Sequence, residues 1–215
     1  MFTLEKDMIP VLRKYLTELY QVEYFLDEFN SWNGIADLVY TLERPNFSQK
    51  LILDYELLST ITKYLNRKWK KVSVKKMRAD LGLVWKKIKS LMNFMSELEM
   101  IEFLSDDEFV IKKVYEPPIS NIISIEAKLS DWKGGMYQAI RYKHYSNSSY
   151  LAISEEYIHR VNIEMLKENN IGLISVSPDK IKVKLKAKKS KPINTNAFNY
   201  LAEKMMHSLT RCYNV

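Results

Sequence analysis

The residues best suited to chemistry are Glu126 and Lys128, in the run Ile125-Glu126-Ala127-Lys128 within an apolar stretch that reads as a strand. Positions i and i+2 of a strand point to one face, so the carboxylate and the amine emerge side by side. Burying both is costly unless they pair or bind something, so the pair is either structural or a site. A further acid, Asp37, is embedded in the apolar run IADLVY just after a turn. If the two strands are neighbours, Asp37 and Glu126 converge into a two-carboxylate oxygen cluster, which suits hard Mg²⁺ with several retained waters.

Several elements must position these groups. Residues 3–20 place Leu4, Met8, Val11, Leu12, Tyr15, Leu16 and Leu19 on one helical side, with Thr3 as the expected N-cap. QVEYFLDEF and IADLVYTLE read as two strands joined through NSWNG, whose Asn-Gly pair is a strong turn signal. Residues 51–65, 73–81 and 84–98 read as three helices, and MIEFLSDDEFVIKK as a small hairpin turning at Ser105-Asp106-Asp107. Three helices and a wing resemble a winged helix-turn-helix domain, whose longer helix would read the major groove. Pro117-Pro118 can continue neither helix nor ladder and mark a boundary. Beyond it, strands at NIISIEAKL, SYLAIS and IGLISVS alternate with helices at 132–145 and 155–168. That alternation predicts an α/β sheet layered with helices. DKIKVKLKAKK is either an edge strand with a cationic outer face or a solvated strand, and a helix over 196–212 closes the chain.

An early helix with Glu5, then strand-turn-strand carrying Asp37, then a strand with Glu126 and Lys128 followed by a helix and a buried strand, resembles the PD-(D/E)XK nuclease superfamily, which includes restriction endonucleases and Holliday-junction resolvases. The resemblance implies a restriction-endonuclease-like mixed sheet flanked by helices, formed by residues 1–47 and 116–215, with a winged-helix DNA-binding domain at 48–115 inserted between the acidic motifs. Ala36 stands before Asp37 where a proline is common in the family. Further implied is phosphodiester hydrolysis, with Asp37 and Glu126 holding Mg²⁺, for which Mn²⁺ would substitute, and Lys128 orienting or helping to deprotonate the attacking water. Glu5 matches an additional acid of these enzymes, though a first-turn acid also suits the helix dipole. Gln138 and Tyr142, four apart on one helical face, match a motif of several branches; they would contact substrate phosphate or support the site.

Charge is consistent with a polyanion partner. The 215 residues carry 33 Lys and Arg against 26 Asp and Glu, a net +7, distributed as −4 over residues 1–49, +5 over 50–115 and +6 over 116–215. Arg67, Lys68, Lys70, Lys71, Lys75, Lys76 and Arg78 surround Trp69, and Lys86, Lys87 and Lys89 extend the run onto the expected reading helix. Such a surface contacts phosphates without conferring sequence preference. Gly 5 leaves little room for a glycine-rich phosphate loop, and the single Cys212 excludes a disulfide framework or a Cys-based zinc site. The scattered His144, His159 and His207 lack metal-ligand spacing. With no long apolar run and an acidic start, no membrane partner is expected and the chain reads as cytoplasmic. The expectation is therefore a Mg-dependent DNA endonuclease, working as a homodimer because cutting both strands of a duplex from one site is awkward. The rivals are a catalytically silent DNA-binding or regulatory protein of the same fold, and a nuclease acting on RNA.

Overall fold

The structure, a computed structural model, describes residues 2–47 and 50–213. The chain divides into two compact units, Met1–Phe47 with Pro118–Val215, and Ser48–Pro117. Passage back to the first unit falls between Pro117 and Pro118, two residues after the position read from sequence. Neither proline has an amide N–H to donate to a ladder. The other expected boundary, at residue 48, lies outside the described residues.

The first unit opens with a 3-10 turn at Glu5–Asp7, then α1 (Met8–Tyr20) and the strands β1 (Tyr24–Asn30) and β2 (Ile35–Thr41). The second unit holds α2 (Tyr55–Tyr64), β3 (Lys71–Ser73), α3 (Val74–Leu81), α4 (Trp85–Glu97), β4 (Ile101–Phe103) and β5 (Glu108–Ile111). The chain then returns with β6 (Ile123–Lys128), α5 (Trp132–Tyr142), β7 (Ser148–Ser154), a 3-10 segment at Glu155–Arg160, α6 (Ile163–Glu168), β8 (Gly172–Ser177), β9 (Lys180–Leu185) and α7 (Thr195–Tyr213).

Local capping explains where these elements depart from the sequence reading. Thr3 does not cap the first helix: the 3-10 turn precedes it, and the Asp7 carboxylate accepts the Leu4 N–H at 2.9 Å. α2 starts at Tyr55 and not at 51 because Asp54 caps it, accepting the Leu57 N–H at 2.9 Å. The expected helix over 155–168 is broken, since Asn162 accepts the Met165 N–H at 3.2 Å and starts α6 afresh.

Six strands of the first unit form one mixed sheet in the order β1-β2-β6-β7-β8-β9, so the protein is α/β. The inner pairs β6/β7 and β7/β8 are parallel and the outer pairs antiparallel. On one face Met8, Leu12 and Leu16 of α1 pack on Leu38, Tyr40, Ile125 and Ala127. On the other, Met136 and Ala139 of α5 and Leu166 of α6 pack on Leu151, Ile153 and Leu173. Strand alternation then sends Asp37, Glu126 and Lys128 away from the α1 core. β9 is an edge strand whose Lys180, Lys182 and Lys184 are exposed.

In the second unit a small sheet, ordered β3-β5-β4, joins helices whose buried faces include Leu58, Ile61, Met77, Ile88, Leu91 and Met95. β3 has three residues, too few for an alternation to be read from sequence. No helix among the described residues is long and apolar enough to cross a membrane.

Candidate active site

β2 and β6 pair antiparallel with Leu38 opposite Ile125. The ladder ends at that pair, with Asp37 the next residue along β2 and Glu126 the next along β6. Asp37 Oδ2 accepts the Ala127 N–H at 2.7 Å, tying the first acidic strand to the second across 90 residues of sequence. Lys128 Nζ lies 2.8 Å from Glu126 Oε1 and 3.2 Å from Glu5 Oε2. The other Glu5 oxygen accepts the Leu129 N–H at 3.3 Å, so the 3-10 turn before α1 reaches over the end of β6. Four expected site residues, Asp37, Glu126, Lys128 and Glu5, are thus brought together. Three carboxylates against one ammonium leave a formal negative excess, which favours a cation.

Burial sets the electrostatics. Glu126 is 1% exposed and Lys128 16%, while Glu5 at 43% faces solvent. Burial pushes the Glu126 carboxyl upward in pKa against the lowering effect of the Lys128 and Tyr142 hydrogen bonds. Asp37 is also raised by burial, despite the Ala127 N–H and the Lys128 charge. For Lys128 burial acts against the ammonium, but its contacts with Glu126 and Glu5 outweigh that and the pKa is raised. The amine therefore stays protonated at neutral pH.

Of the two roles expected for it, Tyr142 is placed for the supporting one. It is fully buried, and its hydroxyl lies 2.6 Å from Glu126 Oε2 and 2.7 Å from the Ile35 carbonyl. A buried side chain cannot meet a phosphate, so Tyr142 is not a nucleic-acid contact but a support that fixes Glu126. Gln138, one turn earlier on α5, is half-buried and makes no hydrogen bond to the cluster.

Two further residues bear on the site. Glu28 is exposed, has a left-handed φ of 47°, and falls where the β1/β2 register is interrupted between Asp27–Leu38 and Phe29–Ala36; its charge also raises the Asp37 pKa. Gly135 lets α5 approach the sheet: a Cβ there would come within 2.5 Å of Leu151 Cδ1 and 2.8 Å of Lys128 Cγ. A glycine inside a helical pattern was the available sequence signal. Gly135→Ala gains about 1 kcal/mol of helix propensity but loses about 1–3 kcal/mol to overpacking. Its melting temperature is expected at or below that of the wild type; a clear rise would mean that Lys128 and Leu151 yield freely.

The donor set determines what could be held. Glu126 uses one lone pair of each oxygen on Lys128 and Tyr142, and Asp37 uses one oxygen on Ala127, which leaves acceptor capacity on both carboxylates. Among the described residues no group of three or more His, Cys, Asp or Glu side chains is placed to hold a metal ion. Two carboxylates fit an ion that keeps most of its waters, which is the habit of Mg²⁺; they do not make a closed zinc site.

Of the cations expected to meet phosphate, Arg67, Lys68, Lys70, Lys71, Lys75, Lys76, Lys86, Lys87 and Lys89 are exposed. Lys75 lies 3.9 Å from Asp107. Arg78 is committed within its unit, donating to the Leu83 carbonyl at 3.1 Å and stacking over the Trp85 ring at 4.8 Å. Compared with protein-family models, with curated proteins and with solved structures, the chain finds no match in any of the three.

Proposed function

We propose that the protein is a metal-dependent DNA endonuclease of the PD-(D/E)XK kind. The observation that carries this reading is the convergence of Asp37, Glu126, Lys128 and Glu5, drawn from three separate segments, at one end of the sheet. The order α1-β1-β2-β6-α5-β7, with the acid on the second strand and Glu-x-Lys on the third, supports it. Divalent ions held by Asp37 and Glu126 would neutralise charge on the scissile phosphate. Lys128, kept charged by two carboxylates, suits orienting water and stabilising the developing negative charge, and not accepting a proton. Tyr142 holds Glu126, and Glu5 holds Lys128.

The order α2-β3-α3-α4-β4-β5 supports reading the second unit as a winged helix that grips duplex DNA, with Lys86, Lys87 and Lys89 on the exposed side of α4. Replacing these three lysines by alanine is expected to flatten the slope of log K against log[salt] by about 0.9 for each phosphate that is no longer neutralised. An unchanged slope in a fluorescence-anisotropy titration would remove α4 from the interface. For cutting both strands the active species is a homodimer, and a monomer by light scattering at working concentration overturns that.

A second reading, a silent DNA-binding or regulatory protein, is favoured by the engagement of both Glu126 oxygens in internal hydrogen bonds. The deciding experiment is plasmid nicking in Mg²⁺ by wild type, Lys128→Met and Asp37→Asn. Nicking by wild type alone supports the enzyme; binding by all three with no nicking supports the silent protein.

A further inference from the structure

We propose that Trp32, stacked on Tyr200 at the turn beside the carboxylate cluster, is a platform for an unpaired nucleobase, so that the substrate is DNA with single-stranded or distorted character next to the scissile phosphate. The inference rests on the nuclease reading and names its substrate class.

Trp32 is 60% exposed, although its ring lies nearly parallel to that of Tyr200, with centroids 4.7 Å apart and planes inclined by 16°. Its φ of 62° is unfavourable for a bulky side chain. The turn nevertheless holds it firmly. The Trp32 N–H donates to Asn30 Oδ1 at 3.1 Å, the Ser31 N–H and hydroxyl both donate to the Gly34 carbonyl, and Lys204 Nζ donates to the Asn30 carbonyl at 2.7 Å. A strained, well-anchored turn that leaves a tryptophan largely in water gains little from burial. It does present an aromatic surface in fixed orientation.

The position of that surface singles out its ligand. Asn30 pairs with Ile35, and Asp37 lies two residues beyond Ile35 along β2, about 7 Å from it at strand rise, while Trp32 lies in the turn on the other side of that pair. The Ile35 carbonyl and Glu126 share the Tyr142 hydroxyl, so turn and carboxylates are held by one side chain. The Arg141 guanidinium lies 3.8 Å from where a Gly34 Cβ would be, on an exposed residue, and Lys204 stands over the Phe29 ring. Cations flanking the exposed Trp32 ring, which stacks on half-buried Tyr200 in the hairpin that carries Asp37, fit a nucleic acid with a base to stack. Within a duplex each base is already stacked and must be flipped at a cost, which is least where it is unpaired.

The test uses the full chain in EDTA and a short duplex carrying 2-aminopurine at a single unpaired position, with the fully paired duplex as control. Binding is expected to quench the unpaired probe more than the paired one. Trp32→Ala should weaken affinity for the unpaired DNA by about 5- to 150-fold while leaving that for the duplex unchanged. Trp32→Phe, which keeps an aromatic face, should retain most of the effect. Equal quenching and affinity for wild type and Trp32→Ala, or no binding to either DNA, overturns the proposal, and leaves the Trp32–Tyr200 pair to packing or to a protein partner. Plasmid nicking in Mg²⁺ separates the two readings. Nicking without Trp32 dependence sinks the platform alone, and Trp32-dependent quenching without nicking sinks the nuclease.

Discussion

Lys128→Met is expected to lower Mg²⁺-dependent nicking by about two to three orders of magnitude while leaving DNA affinity close to that of the wild type. The ammonium sits 2.8 Å from Glu126 and 3.2 Å from Glu5, beside Asp37. Among the described residues it is the one cation paired with the cluster, and so the one held in place to offset charge growing on a phosphate. Methionine keeps most of the buried stem that packs near Gly135 and removes only the charge. Breaking a buried pair leaves Glu126 uncompensated, a loss of about 3–5 kcal/mol in a fully buried setting. That loss is smaller here because the raised Glu126 pKa lets the carboxyl take up a proton instead. Circular dichroism checks that the variant folds, and Lys128→Gln serves if it does not. Folded variants that nick as fast as the wild type would make the Glu126-Lys128 contact an ordinary ion pair.

Asp37→Asn separates stability from function. In the folded, metal-free protein burial raises the Asp37 pKa, so folding favours the protonated form. The ionised carboxylate is then a destabilising feature that sets in as pH rises above the ordinary value near 4 and persists above the folded pKa. The amide of the variant carries no charge and can still accept the Ala127 N–H. Asp37→Asn is therefore expected to melt at or above the wild type at pH 8, with the difference closing as pH falls toward 4. Mg²⁺ should do the reverse, stabilising the wild type by about 2.7 kcal/mol at a hundredfold excess over its dissociation constant and leaving the variant unmoved. Nicking should drop by at least about 100-fold. A variant that melts well below the wild type in EDTA, or gains the same stability from Mg²⁺, would show that Asp37 serves the sheet and not an ion.

Much of the first unit was legible because its signals are local. The apolar runs around Asp37 and Glu126 are short, alternate or continuous, and bounded by turn residues, and they form β2 and β6. α5 and α7 lie where their apolar periodicity predicts, within a few residues at the ends, and α1 ends at Tyr20 as predicted but starts five residues late, behind the 3-10 turn. The splitting of 155–168 was not legible, because Asn162 competes with the helix through its own side chain. Nor was β3, which exists only because β5 offers Val72 and its neighbours a ladder.

The site divides in the same way. Which acids and which lysine are candidates follows from residue type and the two-residue period of a strand, since charged groups in apolar runs need partners. That Asp37 meets Glu126 depends on β2 pairing with β6, and that Lys128 meets Glu5 depends on the 3-10 turn crossing the end of the sheet. The Asp37–Ala127 and Glu5–Lys128 contacts span 90 and 123 residues, and no local propensity encodes a pairing over such distances. Tyr142 shows the limit most plainly: helical spacing put it on one face with Gln138, but only the packing of α5 against β6 turned its hydroxyl inward to Glu126. Sequence by itself determined the chemical groups and their local direction; tertiary structure alone decided which of them became neighbours and which were removed from water, because both depend on long-range burial.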